Sequence, residues 1–163
     1  MTIRRSAPSD LPAILAIYSH AREFMRSSGN PTQWSDSRPY ESLVIADIEA
    51  GDSYVIKQGD KIIGVFALVI GEDPTYRNID GEWLNAEPYG TIHRIASSGV
   101  AHGVFAACLE FCFERISNLR IDTHENNAPM RHLLEKYGFK RCGTIWVDDG
   151  TPRTAYQKER SRL

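Results

Sequence analysis

The stretch IHRIASSGVAHGVFAACLEFC, residues 92–112, decides how the chain is read. Its first residues read as a strand, a turn carrying Gly99 and Gly103 follows, and an apolar run of helical character completes it. With a strand ending near Ser97 and a helix beginning near Gly103, the backbone N–H groups of His102, Gly103, Val104, Phe105 and Ala106 lack helical acceptors. They point together out of the helix start, where the positive end of the helix dipole suits a pyrophosphate without any lysine. A glycine turn before a helix is also a common corner, and these residues alone leave both readings open. Two familiar phosphate loops fail on pattern, because GVAHG is not G-x-G-x-x-G and no Gly-Lys-Ser or Gly-Lys-Thr is present.

Working outward, TIRRSA reads as a first strand, and Ser9 or Asp10 can cap a helix with Pro12 in its first turn. Leu11, Ile14, Leu15, Tyr18, Ala21 and Met25 then recur at helical spacing, and ESLVIADIEAG forms a second, shorter helix that Gly51 can end. SYVIKQ and KIIGVFALVIG are strands joined by Gly59-Asp60, a two-residue hairpin turn. The stretch from Glu72 to Pro88 has mixed polarity and reads as an irregular loop. Beyond it, strand and helix alternate through LRIDTH, NAPMRHLLEKYG, KRCGTIWV and RTAYQK. That hairpin does not fit a doubly wound parallel sheet. The expected fold is α+β in three αβα layers: a mixed, mostly antiparallel twisted sheet of six to seven strands, flanked by about four helices.

The 163 residues, 42% of them hydrophobic, suit one domain, taken as 1–163, with a substantial core. Nineteen basic against 21 acidic residues give no general attraction for nucleic acid or an anionic membrane, so any anion must be held locally. No apolar run reaches the roughly 18 to 20 residues of a membrane span, and MTIRRSAPSD lacks the apolar stretch of a signal peptide. The expectation is a cytoplasmic protein. Cys108, Cys112 and Cys142 show no paired spacing, and Cys108 and Cys112, one helical turn apart, read as core. His93, His102, His124 and His132 show no zinc spacing, so no metal is expected.

The order of elements and three local motifs resemble the GNAT superfamily of acyl-CoA-dependent N-acyltransferases over nearly the whole chain. The motifs are HRIASSGVAHGVFAACL, LRIDTHENNAPMRHLLEKYGF and the pair Gln33-Trp34. Together they look like a bacterial subgroup of that superfamily. The resemblance implies acetyl-CoA, or another acyl-CoA, as co-substrate, bound at Val100, Ala101, His102, Gly103, Val104, Phe105 and Ala106. Of the family's loop pattern (Arg or Gln, two residues, Gly, one residue, then Gly or Ala) only Gly103 matches. Val100 brings no side-chain donor, and Phe105 stands where a small residue is usual. Asn127 matches the asparagine used near the pantetheine arm and is equally a good helix cap. The position of the tyrosine that protonates the departing thiolate holds Leu134. Tyr137 lies about 60° away around the helix and does not inherit the role. Gln33 and Trp34 fall where members shape the acceptor pocket, although a loop tryptophan also packs beneath its own loop.

Acetyl transfer to an amine needs a held thioester, a proton taken from an ammonium of pKa about 10.4, and stabilised charge on the carbonyl oxygen. The resemblance puts that oxygen near the backbone N–H groups around Ile95 and Ala96. For the base, His93 lies two residues before Ile95 and so, on a regular strand, on the same face; a histidine stacked on the sheet is the plain alternative. Glu82 is the second candidate, with Asp80, His124 and Glu125 behind it. Two functions result: an N-acetyltransferase acting by direct attack of a primary amine of a small molecule or peptide, or a degenerate acyl-CoA-binding module without turnover. The sequence leaves open a homodimer.

Overall fold

The computed structural model describes residues 1–34 and 38–160. Among them the chain runs β1 (Thr2–Arg5), α1 (Leu11–Ser27), α2 (Glu41–Ala50), β2 (Ser53–Gln58), β3 (Lys61–Ile70), β4 (Asp80–Gly81), β5 (Gly90–Ser97), α3 (Val104–Phe113), β6 (Asn118–Thr123), α4 (Ala128–Lys136), β7 (Lys140–Trp146) and β8 (Pro152–Glu159). The strands form one sheet in the order β1-β2-β3-β5-β6-β8-β7-β4. Every pairing is antiparallel except β5 with β6.

Alternation along β2 divides the core into two layers. Tyr54 and Ile56 face a cluster with Phe66, Cys108, Leu109, Cys112 and Leu134, which seats α3 and α4. Val55 faces the opposite cluster with Ile14, Ile17, Tyr18 and Val44, which seats α1 and α2. The expected three layers and four helices are present. The strand count is eight rather than six to seven, because the stretch read as an irregular loop contributes β4. This two-residue strand pairs with β7 opposite Gly143. A Cβ at Gly81 would lie 2.1 Å from the carbonyl oxygen of Cys142, so glycine is what allows the approach. The rest of that stretch lies over the sheet, with Tyr76, Tyr89, Ile145 and Ala155 forming a third, smaller core beneath it.

One irregularity shapes the centre of the sheet. Opposite β3 the register of β5 slips between Val65 and Ala67, and Arg94 adopts φ 52°. Such a conformation costs a non-glycine residue on the order of 1 kcal/mol or more. Here it is held by a fork from Arg94 to Asp47, both contacts 2.8 Å, and by the Tyr18 hydroxyl donating to the Arg94 carbonyl at 2.8 Å. The bulge breaks the two-residue period. Ile92 and Ile95 therefore share the α3/α4 core. The expectation that His93 and Ile95 share a face fails for this reason.

Candidate active site

Strands β5 and β6 pair only at Gly90–Leu119 and Thr91–Arg120. Past that point they part, leaving the β6-facing backbone groups of β5 without a strand partner. A cavity of about 460 Å³ opens in the gap, lined by Ile92 to Ile95 on one side and Ile121 to Thr123 on the other. Gln33, Trp34, Asn127, Met130 and Arg153 complete its walls, with Thr75 and Tyr76 from the loop over the sheet.

His93 lines this cavity, its Nε2 3.0 Å from Asp73 Oδ2. The bond to His93 holds the Asp73 carboxyl below the usual carboxylate range, against the opposing effect of burial. An ionised carboxylate only accepts, so Nε2 carries a proton, and in the neutral imidazole the lone pair is then on Nδ1. Asp73 is itself fixed by the Thr75 N–H donating to Oδ1 at 2.9 Å and by its own N–H donating to the Tyr89 hydroxyl at 2.7 Å. Beside this pair, the Tyr76 hydroxyl donates to Asp122 Oδ2 at 2.6 Å. Burial pushes Asp122 above the usual carboxylate range and, with the Asp122 charge beside it, pushes the Tyr76 phenol well above its own.

At one end of β5 lies the glycine turn. Gly103, at φ 82°, precedes α3, and the first helical bond runs from the Ala107 N–H to the Gly103 carbonyl at 3.0 Å. The N–H groups of His102, Gly103, Val104, Phe105 and Ala106 have no acceptor among the described residues. Val100 and His102 are exposed on the turn, Ala101 is half-buried, and nothing lies within 4 Å of where a Gly103 Cβ would be. Phe105 is only 7% exposed and turns inward, its ring 5.5 Å from Tyr137 and 6.5 Å from Phe139. The bulky residue thus turns away into the core and leaves the unbonded amides clear. The unbonded amides of 102–106 at one end of β5 and the free edge of β5 along the gap thus lie on one strand–turn–helix unit.

Gln33 and Asn127 are joined. Gln33 Oε1 accepts from Asn30 Nδ2 at 2.9 Å, Asn127 Nδ2 at 3.1 Å, the His124 N–H at 3.2 Å and Thr123 Oγ1 at 3.3 Å. Asn127 Oδ1 caps α4 by accepting from the Met130 N–H at 3.2 Å. Gln33 thus ties the α1–α2 connection to the end of β6. Gln33→Leu strands these donors and is expected to cost about 1–3 kcal/mol, measured by denaturant unfolding. Trp34 both packs and lines, meeting the Tyr18 ring edge-on at 5.5 Å while facing the cavity.

Glu82 does not line the cavity. Its side chain is exposed, and its N–H donates to the Cys142 carbonyl at 3.0 Å, which pins it beside β7, two strands beyond β6. Asp80 is exposed on β4, His124 Nδ1 accepts from the Asn126 N–H at 3.0 Å, and Glu125 accepts from Thr154 Oγ1 at 2.7 Å. Sequence reasoning passed over Asp73, Tyr76, Asp122 and Arg153. A signal existed for Asp122: along LRIDT the apolar Leu119 and Ile121 alternate with charged Arg120 and Asp122, so one face of a central strand is polar.

A family model described as an acetyltransferase (GNAT) domain matches residues 1–140. A GNAT-family acetyltransferase from Streptococcus agalactiae is similar in structure at TM-score 0.89 and 31% identity, covering 99% of this chain and 96% of that one. One from Listeria monocytogenes gives TM-score 0.69 at 23% identity, covering 97% and 94%. YncA from Salmonella typhimurium, solved with its cofactor acetyl-CoA, gives TM-score 0.63 at 17% identity, covering 100% and 95%. No curated protein matches the chain.

Proposed function

The chain belongs to the GNAT acetyltransferase family, and from that premise we propose that it moves an acetyl group from acetyl-CoA to a primary amine of a small molecule or peptide by direct attack. The observation that carries this reading is the His93–Asp73 pair at the point where β5 and β6 part, with its Nδ1 free beside the cavity.

Acetyl-CoA supplies the activated acetyl thioester. The amides of 102–106 hold its diphosphate, and the free edge of β5 positions the acyl end. His93 Nδ1 takes the proton of the incoming ammonium, while Asp73 keeps the imidazole in the accepting tautomer and offsets the charge that forms on it. The amine nitrogen bonds to the acetyl carbon as the carbon–sulfur bond breaks, and the second proton that this nitrogen loses balances the one the departing sulfur gains. Backbone N–H groups around Ile95 and Ala96, where the bulge re-aims the strand, meet the charge that develops on the acyl oxygen. Gln33 and Trp34 shape the acceptor side. With Leu134 fully buried in the core, no side chain takes the usual tyrosine's place on α4.

Calorimetric titration with acetyl-CoA tests the first requirement. Saturable binding of one acetyl-CoA per chain is expected, and no heat at about millimolar ligand overturns the reading.

A further inference from the structure

The transfer just described leaves several charged groups of the cavity without a task, and Arg153 is the most buried of them. Arg153 lines the cavity at the start of β8 and is only 7% exposed. Nη1 donates to Thr151 Oγ1 at 3.0 Å and to the Pro152 carbonyl at 2.9 Å, which fixes the guanidinium on its own strand. Nε and Nη2 have no partner among the described residues, and no carboxylate there forms an ion pair with it. Only the Nη1 side of the buried guanidinium is answered, so a partner for the Nε/Nη2 edge is expected to come from outside the chain.

The charges of Asp122 and Asp149 reach Arg153, but neither carboxylate bonds to it directly. Asp122, on the neighbouring strand, is held by Tyr76 at 2.6 Å. Asp149 accepts from the Thr151 N–H at 3.0 Å and from the Thr151 hydroxyl at 2.5 Å, and that hydroxyl accepts from Arg153 Nη1, so Asp149 answers the Nη1 side and not the Nε/Nη2 edge. Asp148 is exposed at the cavity rim. Arg38 also lines the cavity, near enough for its charge to act on Arg153, with its guanidinium 5.4 Å above the Tyr40 ring. A planar guanidinium with two outward N–H donors matches a carboxylate in a forked pair.

We propose that the acceptor is a primary amine that also carries a carboxylate, its nitrogen at His93 Nδ1 and its carboxylate on the free edge of the Arg153 guanidinium. This rests on the acetyl-transfer reading above and names the substrate class of that site. Met25, Trp34, Leu43, Met130 and Val147 line the remaining wall, so an apolar body between the two polar ends suits the space.

The test compares matched acceptors with acetyl-CoA: leucine with isopentylamine, phenylalanine with phenethylamine, and γ-aminobutyrate with butylamine. In at least one pair the carboxylate-bearing member is expected to be preferred about ten- to hundredfold in kcat/KM, the range of a charge-assisted hydrogen-bonded pair. Arg153→Gln is expected to bring that ratio toward one while acetyl-CoA still titrates, which reports an intact fold. Where Arg153→Gln does not fold, Arg153→Lys, which keeps the charge and loses the fork, is expected to give an intermediate ratio. Equal use of both members in every pair, or a ratio that Arg153→Gln leaves intact, overturns the carboxylate assignment and leaves acetyl transfer standing. No transfer to any of the six amines overturns both.

Discussion

His93→Ala is expected to transfer acetyl groups roughly a hundredfold or more slowly at neutral pH, while acetyl-CoA binds as before, because in the proposed mechanism the side chain takes the acceptor's proton and does not touch the diphosphate. An unchanged rate moves the role to another group. Asp73→Asn separates tautomer from geometry. An asparagine amide at that place donates to Nε2, forces the proton onto Nδ1 and removes the lone pair that faces the cavity, with His93 still in position. Its rate is expected to fall in kcat. The pair also contributes to stability with a definite sign. Asp73 is held below its usual range mainly by His93, so its contribution is present above the ordinary carboxylate range and is lost as pH falls through the lowered value. The stability gap between wild type and His93→Ala is therefore expected to narrow in acid, as pH-dependent melting would show.

Phe105→Ala is expected to cost about 3–5 kcal/mol, the range for emptying a buried aromatic site, and this is a large share of the roughly 5–15 kcal/mol that holds a domain. The ring sits between α3 and α4 against Tyr137 and Phe139, with Leu134 in the same core. Truncation opens a cavity between the helices and frees no room at the amides of 102–106. Denaturant unfolding reads the loss, and calorimetry of the folded variant is expected to find acetyl-CoA binding no tighter. A variant of full stability with tighter binding would mean that the ring faces the ligand.

The fold was readable where a periodic signal coincided with turn chemistry. The Gly59-Asp60 turn, the apolar stripe of α1 and the strand–turn–helix around Gly103 each combine the two, and each is present. The insertion of β8 between β6 and β7 was not readable, because no local pattern in RTAYQK says which neighbour it pairs with. The bulge at Arg94 was hidden for a related reason. A left-handed arginine is sustained by Asp47, 47 residues away, and by Tyr18, 76 residues away, and no window of sequence contains those partners. Of the site, His93 was within reach because it stands in the decisive stretch. Its partner Asp73 was not: it lies 20 residues earlier, in a stretch without periodicity, and is brought over the sheet by the packing of Tyr76, Tyr89 and Trp83. Arg153 was legible only as a charge on a closing strand. What gives it meaning is that, among the described residues, no carboxylate bonds to its Nε/Nη2 edge, a property of the folded cavity alone.

The most direct test of the central claim is acceptor-dependent release of CoA thiol from acetyl-CoA, followed through many turnovers, with the acetylated amine identified by mass spectrometry. Steady release that requires an amine, yields its N-acetyl product and falls about a hundredfold or more in His93→Ala is the predicted result. Saturable acetyl-CoA binding with no amine-dependent release across the acceptor pairs would contradict it and mark the chain as an acyl-CoA-binding module.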